Sequence, residues 1–339
     1  MKLATYKDGS RDGQLVVVSR DLGQAHYASG IANRLQQVLD DWNYLSPQLQ
    51  DLYNALNSGH ARHAFPFDPR QCMAPLPRAY QWVGSVAYGS HAELVYPATE
   101  ASGVAGGSAD PLLYQGASDA LAGPCDAIAC ASEELGVDFE AQLAVVSSDL
   151  PAGCPADRAL EGIRLVMLAN AVSLRALSPA EQARGFGLVG SKPATAFSPV
   201  AVTPDELGEA WTKGRLQLTL HSTWNGRKVG LCDAGADMTH PFGKLLAHLC
   251  RTRPVRAGSI VGSGAVSNQG VTTKGGTDWP KGYNCIAEKR AMETLQDGKP
   301  STDYLRWGDT IRIEMKGRDG HSIFGAIEQE VVAPAGRDA

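Results

Sequence analysis

The sequence predicts an α+β fold, namely a curled β-sandwich or roll with helices on its outside and a small N-terminal α/β domain. Three observations support this prediction. Short apolar segments recur along the chain, and glycine and proline separate most of them, as is typical of strands joined by turns. Strands and helices do not alternate regularly, which disfavours a doubly wound parallel sheet. No repeat at a fixed period occurs.

The first 75 residues are predicted to form the small domain, because 339 residues are many for a single core. Apolar segments at 3–6 and 14–18 flank Asp8-Gly9-Ser10 and indicate a hairpin. Apolar residues at helical spacing over 31–57 predict two helices separated at Ser46-Pro47, with Ser46 capping the second. The proline-rich stretch 65–69 marks the boundary with a second domain over 76–339.

The second domain is predicted to be rich in strands. Its apolar segments lie at residues 143–146, 200–202, 216–220, 259–262, 310–315 and 325–332. Helices are predicted at 241–251 and 161–168. Only residues 102–108 have the composition of a flexible linker.

Composition excludes several classes of function. The net charge is −5 and no Lys/Arg run occurs, so no nucleic-acid partner is expected. No apolar run approaches the ~20 residues of a membrane span, and no signal-peptide core precedes the first strand. The seven cysteines are scattered without a C-x-x-C pair, which indicates reduced thiols and a cytoplasmic protein.

Acidic and apolar residues alternate over residues 136–146. A single strand there would place Asp138, Glu140 and Gln142 on one face. Two carboxylates at i and i+2 are suited to clamp a hard divalent cation, but the last of the three side chains is an uncharged amide. The alternative interpretation is an edge strand with a solvated polar face.

Several motifs together resemble the fumarylacetoacetate hydrolase family in its bacterial two-domain form. They are Val137-Asp138-Phe139-Glu140, the segments 165–175 and 187–204 with Ser191-Lys192-Pro193, the turn 258–264, and the segment 305–314. The resemblance covers nearly the whole chain. It implies the family's mixed β-sandwich roll, a homodimer, and chemistry on small keto acids or diketones. Members cleave carbon–carbon bonds of β-diketo acids, and relatives hydrate, decarboxylate or isomerise keto-enol compounds.

The resemblance also implies a Mg²⁺ or Ca²⁺ site that this chain has largely lost. The family's glutamate pair falls on Glu140 and Gln142, and its two aspartates fall on Gly84 and Ala171. Glu140 is therefore the one anionic ligand left, with Gln142 and Asp138 as weak candidates. Since a hard, strongly hydrated ion needs more compensating charge, no metal cofactor is expected.

Other candidate site residues are present. His91 occupies the family's place for a general base, and Glu93 is a candidate partner to orient it. Lys192 falls where the family keeps a lysine that binds a substrate oxygen, and its charge would stabilise an enolate. The alternative for each is a loop histidine or a surface lysine without function.

Substrate-binding candidates are Tyr88, Tyr96, Ser263 and Gly264. Tyr96 and Thr99 replace arginines that commonly bind the substrate carboxylate in the family, and Gly190 replaces a glutamine. The turn at Ser263-Gly264 offers backbone N–H groups for an oxyanion, although a tight strand-end turn explains these glycines equally well.

Two residues near the C-terminal helix are given structural interpretations. Glu288 is predicted to complement the positive end of a helix, and Cys285 to pack in the core. His221, His240, His248 and His321 show no metal-ligand spacing.

Three functions remain open at this point. The first is a metal-independent enzyme that dehydrates, tautomerises, cyclises or decarboxylates a keto-enol or β-dicarbonyl substrate in a specialised biosynthetic pathway. The second is a non-catalytic binding or partner protein. The third is an ordinary Mg²⁺-dependent C–C hydrolase, which requires a different alignment of the ligand positions.

Overall fold

The computed structural model describes residues 1–96 and 110–334 of the chain. The expected linker at 102–108 and Thr99 lie outside the described residues. Among the described residues, no helix is both long and apolar enough to cross a bilayer.

The described strands, in chain order, fall into two listings. Those of the first half are β1 Lys2–Tyr6, β2 Gln14–Val18, β3 Gln24–Tyr27, β4 Phe65–Pro66, β5 Trp82–Val86, β6 Leu112–Gly116, β7 Ile128–Ala129, β8 Val137–Asp138, β9 Ala141–Ser147, β10 Ile163–Asn170 and β11 Ser173–Leu174. Those of the second half are β12 Ala196–Phe197, β13 Ala201–Val202, β14 Trp211–Thr212, β15 Arg215–Leu216, β16 Thr219–Trp224, β17 Arg227–Asp233, β18 Ile260–Gly262, β19 Val271–Thr273, β20 Gly276–Asp278, β21 Thr310–Lys316 and β22 Ser322–Val332.

The described α-helices are shorter and fewer. They are α1 Leu35–Asp40, α2 Trp42–Asn57, α3 Gly89–Val95, α4 Ala156–Glu161, α5 Ser178–Arg184, α6 Phe242–Leu249 and α7 Ile286–Asp297. Three 3₁₀ segments lie at Pro69–Gln71, Glu133–Leu135 and Pro204–Ala210.

One large mixed sheet runs through the molecule. Its order is β4-β3-β2-β1-β13-β10-β9-β18-β5-β6, with β12 paired to β10. Strands β1 and β2 form the predicted hairpin, and β1 pairs with β13, so the N-terminal strands extend the central sheet. Strand β18 runs parallel to β5 and antiparallel to β9, which places the ends of β5 and β9 beside the turn after Gly262.

A second sheet, β17-β16-β21-β22-β7, covers one face of the first. One apolar core contains residues of both sheets, such as Val166 and Leu168 of β10 with Phe324 and Ile327 of β22. The opposite face of the large sheet packs against Leu35 of α1 and others of its helical layer. The predicted α+β roll of the fumarylacetoacetate hydrolase type is confirmed.

Three predicted elements are wrong or need adjustment. Residues 161–168 are not a helix, because β10 occupies this part of the chain. Its apolar side chains alternate between the two cores, with Val166 in one and Met167 in the other. A strand buried on both faces has a continuous apolar run, which cannot be distinguished from a buried helix by periodicity.

The helix break predicted at Ser46-Pro47 lies instead at Asp41. Pro47 is inside α2, where it costs the bond to the Asn43 carbonyl, and Asn43 is exposed so water can satisfy that carbonyl. The segment predicted as one strand at 216–220 is divided between β15 and β16.

The acidic segment is not one continuous strand either. It breaks at Phe139-Glu140, so that β8 pairs with β11 whereas β9 joins the large sheet. Asp138, Glu140 and Gln142 are all buried, with exposed fractions of 0%, 4% and 0%. The alternative of a solvated edge strand is therefore wrong.

Candidate functional site

Glu140 is the centre of a buried network of ion pairs. Its Oε1 accepts hydrogen bonds from Lys192 Nζ at 2.9 Å, Arg175 Nη2 at 2.8 Å and Ser173 Oγ at 2.6 Å. Glu140 lies at the break between β8 and β9, and Ser173 is on β11, which pairs with β8. The break turns the Glu140 carboxylate toward two cations instead of toward solvent.

Arg175 joins the two carboxylates of the segment. Its Nε donates to Asp138 Oδ2 at 2.9 Å while its Nη2 donates to Glu140. Asp138 also accepts the backbone N–H groups of Ile286 and Ala287, at 2.6 and 3.0 Å. Asp138 therefore satisfies the first turn of α7, where the helix dipole favours negative charge.

The network keeps Glu140 ionised. Burial opposes its ionisation, but the charges of Lys192 and Arg175 outweigh burial and lower the pKa of Glu140 to about 2. His91 contributes to the same lowering of the pKa, so the imidazole lies close to this network. Glu140 thus has the charge compensation that a metal ion would otherwise supply.

The positions implied by the family resemblance do not fit a hard divalent cation. A Cβ at Gly84 would lie 2.1–2.3 Å from ring and hydroxyl atoms of Tyr114, so that ring fills the place of an aspartate. Ala171 has no ligand atom, and Gln142 Oε1 already accepts the Gly264 N–H at 2.9 Å. A doubly charged ion at Glu140 would also approach two protein cations. We derive no step through such an ion.

Lys192 is buried and closely held. Its ammonium donates to Glu140 and, at 2.5 Å, to Ser173 Oγ, and it lies 4.9 Å from the ring centroid of Tyr114. A cation over an aromatic face is stabilised by the ring quadrupole. An ammonium has three N–H groups, so one remains for a further acceptor among these contacts.

The loop before Lys192 is tied down by Glu181 of α5. The carboxylate accepts the backbone N–H groups of Val189, Gly190 and Ser191 at 3.2, 2.7 and 3.0 Å, and the Ser191 hydroxyl at 2.5 Å. These donors, led by the Ser191 hydroxyl, lower the pKa of Glu181 to about 2. Glu181 is therefore a positioning residue for Lys192.

Glu181→Gln is expected to loosen residues 189–191, because an amide cannot accept all four hydrogen bonds. Amide hydrogen exchange at 189–191 should accelerate in the variant at pH 7. In the wild type, the lowered pKa implies that these contacts persist above the ordinary value of 4.5 and are lost as pH falls toward 2. The variant should lack that acid-dependent step. Glu161→Gln, whose carboxylate pairs with exposed Arg158, is the control; equal protection in both variants would contradict this role.

His91 forms a buried pair with Glu288. Its Nδ1 lies 2.8 Å from Glu288 Oε1, and the two side chains are 4% and 1% exposed. The pair joins α3 to the first turn of α7. Since a carboxylate only accepts, the Nδ1 carries the proton and the Nε2 presents its lone pair. The Tyr96 ring lies edge-on to the imidazole, with centroids 5.9 Å apart.

The structure does not bring Glu93 to His91 as its orienting partner. The two residues are two positions apart on α3, where side chains do not face each other, and Glu93 is exposed. The partner is Glu288, which was predicted only to complement a helix end. Asp138 performs that structural role through its bonds to Ile286 and Ala287.

Three substrate-binding candidates are engaged within the protein. Tyr88 is buried and its hydroxyl donates to the Ala234 carbonyl at 2.7 Å. The Ser263 N–H donates to the Leu143 carbonyl at 2.9 Å, and the Gly264 N–H donates to Gln142. The predicted oxyanion donors are thus already satisfied, and Gly264 has φ +75 as expected for a tight strand-end turn.

Gln142 has one group left without a partner. Its Nε2 is buried and has no hydrogen-bond acceptor among the described residues. Leaving a buried N–H unpaired costs about 1–3 kcal/mol, so such a donor is a candidate for contact with a ligand. Where the family's second glutamate would accept, this chain presents a donor.

The sequence missed three residues of the site. Arg175 was quoted only as part of a motif, and Tyr114 and Glu288 were given no role in chemistry. The one available signal was Glu288 in the first turn of a helix three residues after Cys285. No sequence pattern indicates that Tyr114 reaches Gly84, because β6 and β5 are joined through residues outside the described range.

Comparison with known proteins identifies the class. The family model for the fumarylacetoacetase N-terminal domain 2 matches residues 1–78, and that for the fumarylacetoacetate (FAA) hydrolase C-terminal domain matches residues 82–332. The chain therefore belongs to the fumarylacetoacetate hydrolase family, and the resemblance is confirmed. A comparison with curated protein sequences found no significant match.

Solved structures share the fold over nearly their whole length. An HpcE-type protein from Mycobacterium smegmatis has 21% identity and a TM-score of 0.67, with 98% of this chain and 99% of that chain covered. The fumarylacetoacetate hydrolase of Exiguobacterium antarcticum has 19% identity and a TM-score of 0.64, with coverage of 98% and 100%. Maleylpyruvate hydrolase from Sphingobium sp. SYK-6, in complex with manganese(II) and pyruvate, has 15% identity and a TM-score of 0.62, with coverage of 98% and 99%.

Proposed function

We propose that the protein is an enzyme that acts on a small keto-enol or β-dicarbonyl substrate without a hard divalent cation. The observation that carries this proposal is the buried His91–Glu288 pair beside the network of Glu140, Lys192 and Arg175. A base oriented by a carboxylate and a cation held by another carboxylate are the two groups that enolisation needs. We propose further that it acts in the cytoplasm as a homodimer.

The roles of the residues follow from their contacts. The Nε2 of His91 takes a proton from the carbon between or beside the carbonyl groups, and Glu288 stabilises the imidazolium that results. The free N–H of Lys192 donates to the oxygen on which negative charge develops, while Glu140 fixes the ammonium in place. The Nε2 of Gln142 supplies a further donor for a substrate oxygen.

This set of groups favours some reactions over others. A metal Lewis acid contributes several kcal/mol of transition-state stabilisation in enzymes that use one. With Lys192 as the electrophile, tautomerisation, dehydration, cyclisation and decarboxylation are the expected reactions. Hydrolytic attack on an unactivated ketone is less accessible. Such reactions suit a step in a specialised biosynthetic pathway.

Solvent deuterium exchange tests the proposal without knowledge of the natural substrate. A panel of 2-oxo acids and 1,3-diketones is incubated with the enzyme in D₂O, and loss of the α-proton is followed by NMR. We expect catalysed exchange for at least one compound. Compounds that bind, as detected by ligand NMR, but show no exchange above background would support a non-catalytic binding protein instead. The engagement of Tyr88, Ser263 and Gly264 within the protein favours that second candidate.

The metal content of the purified protein gives a separate prediction. Elemental analysis is expected to find no stoichiometric Mg²⁺, Mn²⁺ or Ca²⁺, and EDTA is expected not to lower any activity. The physical reason is that Glu140 is already neutralised and the other ligand positions are Gly84, Gln142 and Ala171. One such ion per chain together with loss of activity in EDTA would restore the conventional Mg²⁺-dependent hydrolase.

A further inference from the structure

A second group of ligand-type side chains lies beside the carboxylate network. His91, Cys285 and Glu288 are all buried, and one ligand atom of each lies within 4.8 Å of the others. The Nδ1 of His91 is 2.8 Å from Glu288 Oε1 and 4.0 Å from Cys285 Sγ. Among the described residues, this is the one cluster of three such side chains.

The cluster arises from the packing of two helices. Cys285 is the N-cap residue of α7 and Glu288 lies one turn later, so the two side chains share a face. That face packs against α3, which carries His91. All three positions are fixed by secondary structure instead of by a mobile loop, which is a condition for a defined coordination site.

The chemistry of this cluster differs from that of Glu140. An imidazole, a thiolate and a carboxylate are the ligand types preferred by Zn²⁺, whereas Mg²⁺ and Ca²⁺ prefer oxygen ligands. A thiolate at Cys285 and the carboxylate of Glu288 would balance the two positive charges of the ion. At Glu140, by contrast, Lys192 and Arg175 already supply that positive charge.

We propose that His91, Cys285 and Glu288 form a binding site for a thiophilic divalent cation, Zn²⁺, and that occupation of this site removes His91 from proton transfer. The second half of this statement rests on the proposed function, because it assumes that His91 is the base. Three protein ligands leave a fourth tetrahedral position for water or a ligand oxygen.

The distances require only small adjustments. Tetrahedral bonds of about 2.0 Å to nitrogen and oxygen and about 2.3 Å to sulfur separate the nitrogen from sulfur by about 3.5 Å and from oxygen by about 3.3 Å. The observed separations are 4.0 and 2.8 Å. Side-chain rotations of Cys285 and Glu288 that move each atom by about half an ångström would therefore satisfy the geometry.

Cobalt(II) substitution is the experiment that tests the site. The full-length chain, purified with a chelator that is then removed, is titrated with Co²⁺ and the absorption spectrum is recorded. We expect one Co²⁺ per chain, the intense visible bands of a four-coordinate ion, and a thiolate-to-cobalt charge-transfer band in the near ultraviolet. Competition with Zn²⁺ should remove all of these bands.

Cysteine variants locate the ligand. Cys285→Ser should eliminate the charge-transfer band and weaken Zn²⁺ binding by more than about 100-fold, beyond the loss typical of outer-shell partners. Cys130→Ser is the matched control, since Cys130 is also buried but lies outside the cluster. Absence of stoichiometric binding in the wild type, or equal binding by the two variants, would overturn the proposal.

A measurement on the wild type covers the case in which Cys285→Ser does not fold. Zinc-edge X-ray absorption should show one sulfur scatterer at about 2.3 Å and nitrogen or oxygen scatterers near 2.0 Å. A shell of oxygen and nitrogen atoms alone would contradict the site. Both binding tests are made without substrate, so their result does not depend on whether the protein is an enzyme.

The regulatory half has its own readout. If deuterium exchange is catalysed, Zn²⁺ should inhibit it in the wild type and in Cys130→Ser with the same concentration dependence as binding, and chelation should restore it. Stoichiometric Zn²⁺ binding without inhibition would retain the site but overturn its effect on His91.

Discussion

His91→Ala is expected to lower the catalysed deuterium exchange by about 10²- to 10⁴-fold, the range over which a positioned general base contributes. The imidazole is held at Nδ1 by Glu288 and is close enough to Glu140 to lower the pKa of that carboxyl. Replacement by alanine removes the lone pair that accepts the proton. Exchange is measured by NMR under conditions in which the variant remains folded, as judged by circular dichroism.

A second variant separates catalysis from folding, because His91→Ala leaves Glu288 buried without its partner. Glu288→Gln keeps the shape of the pair but no longer stabilises an imidazolium, so kcat should fall while the KM of the exchanged compound stays within a few-fold. His60→Ala is the control, since His60 is exposed and remote in sequence from the site. Unchanged exchange in His91→Ala would remove the residue from the mechanism.

Arg175→Met is expected to be the most destabilising substitution in the network. Arg175 is only 10% exposed and donates to both Asp138 and Glu140, so its loss leaves two buried carboxylates with less compensation. Removal of one partner from a buried ion pair costs about 3–5 kcal/mol. Urea unfolding should show a fall of this size in the free energy of unfolding. Arg158→Met breaks an exposed pair with Glu161 and should cost less than about 1 kcal/mol.

Acid unfolding gives the same variant a second signature. In the wild type the pKa of Glu140 is lowered to about 2 from an ordinary value of 4.5. Its contribution to stability is therefore complete above pH 4.5 and is lost as pH falls toward 2. With Arg175 removed, the pKa of Glu140 should rise and acid unfolding should lose part of its dependence on this interval. An unchanged pH profile and an unchanged urea midpoint would show that the pair is not coupled to folding.

The sequence was sufficient for the fold class because glycine and proline separate the strands and because the family motifs occur in order. It was insufficient for β10, whose two buried faces remove the alternation that distinguishes a strand. It was also insufficient for the break at Phe139-Glu140, since alternation of side chains predicts one strand whether or not the pairing partner changes.

The candidate site was predicted through single residues but not through their partners. His91, Lys192 and Glu140 were named from the resemblance, yet the contact of His91 with Glu288 joins residues 197 positions apart. Periodicity carries no information about such contacts between distant segments. The same is true of Tyr114, which fills the space at Gly84 and thereby gives a physical reason for the missing aspartate.

Binding of Mn²⁺ observed by electron paramagnetic resonance tests the central claim most directly, because only the free ion gives the strong six-line signal. The claim is that Lys192 and Arg175 neutralise Glu140 and leave no site there for a hard divalent cation. We predict that the free signal matches buffer alone throughout the titration, in the wild type and in Glu140→Gln. Binding of one Mn²⁺ per chain in the wild type that disappears in Glu140→Gln would contradict the claim.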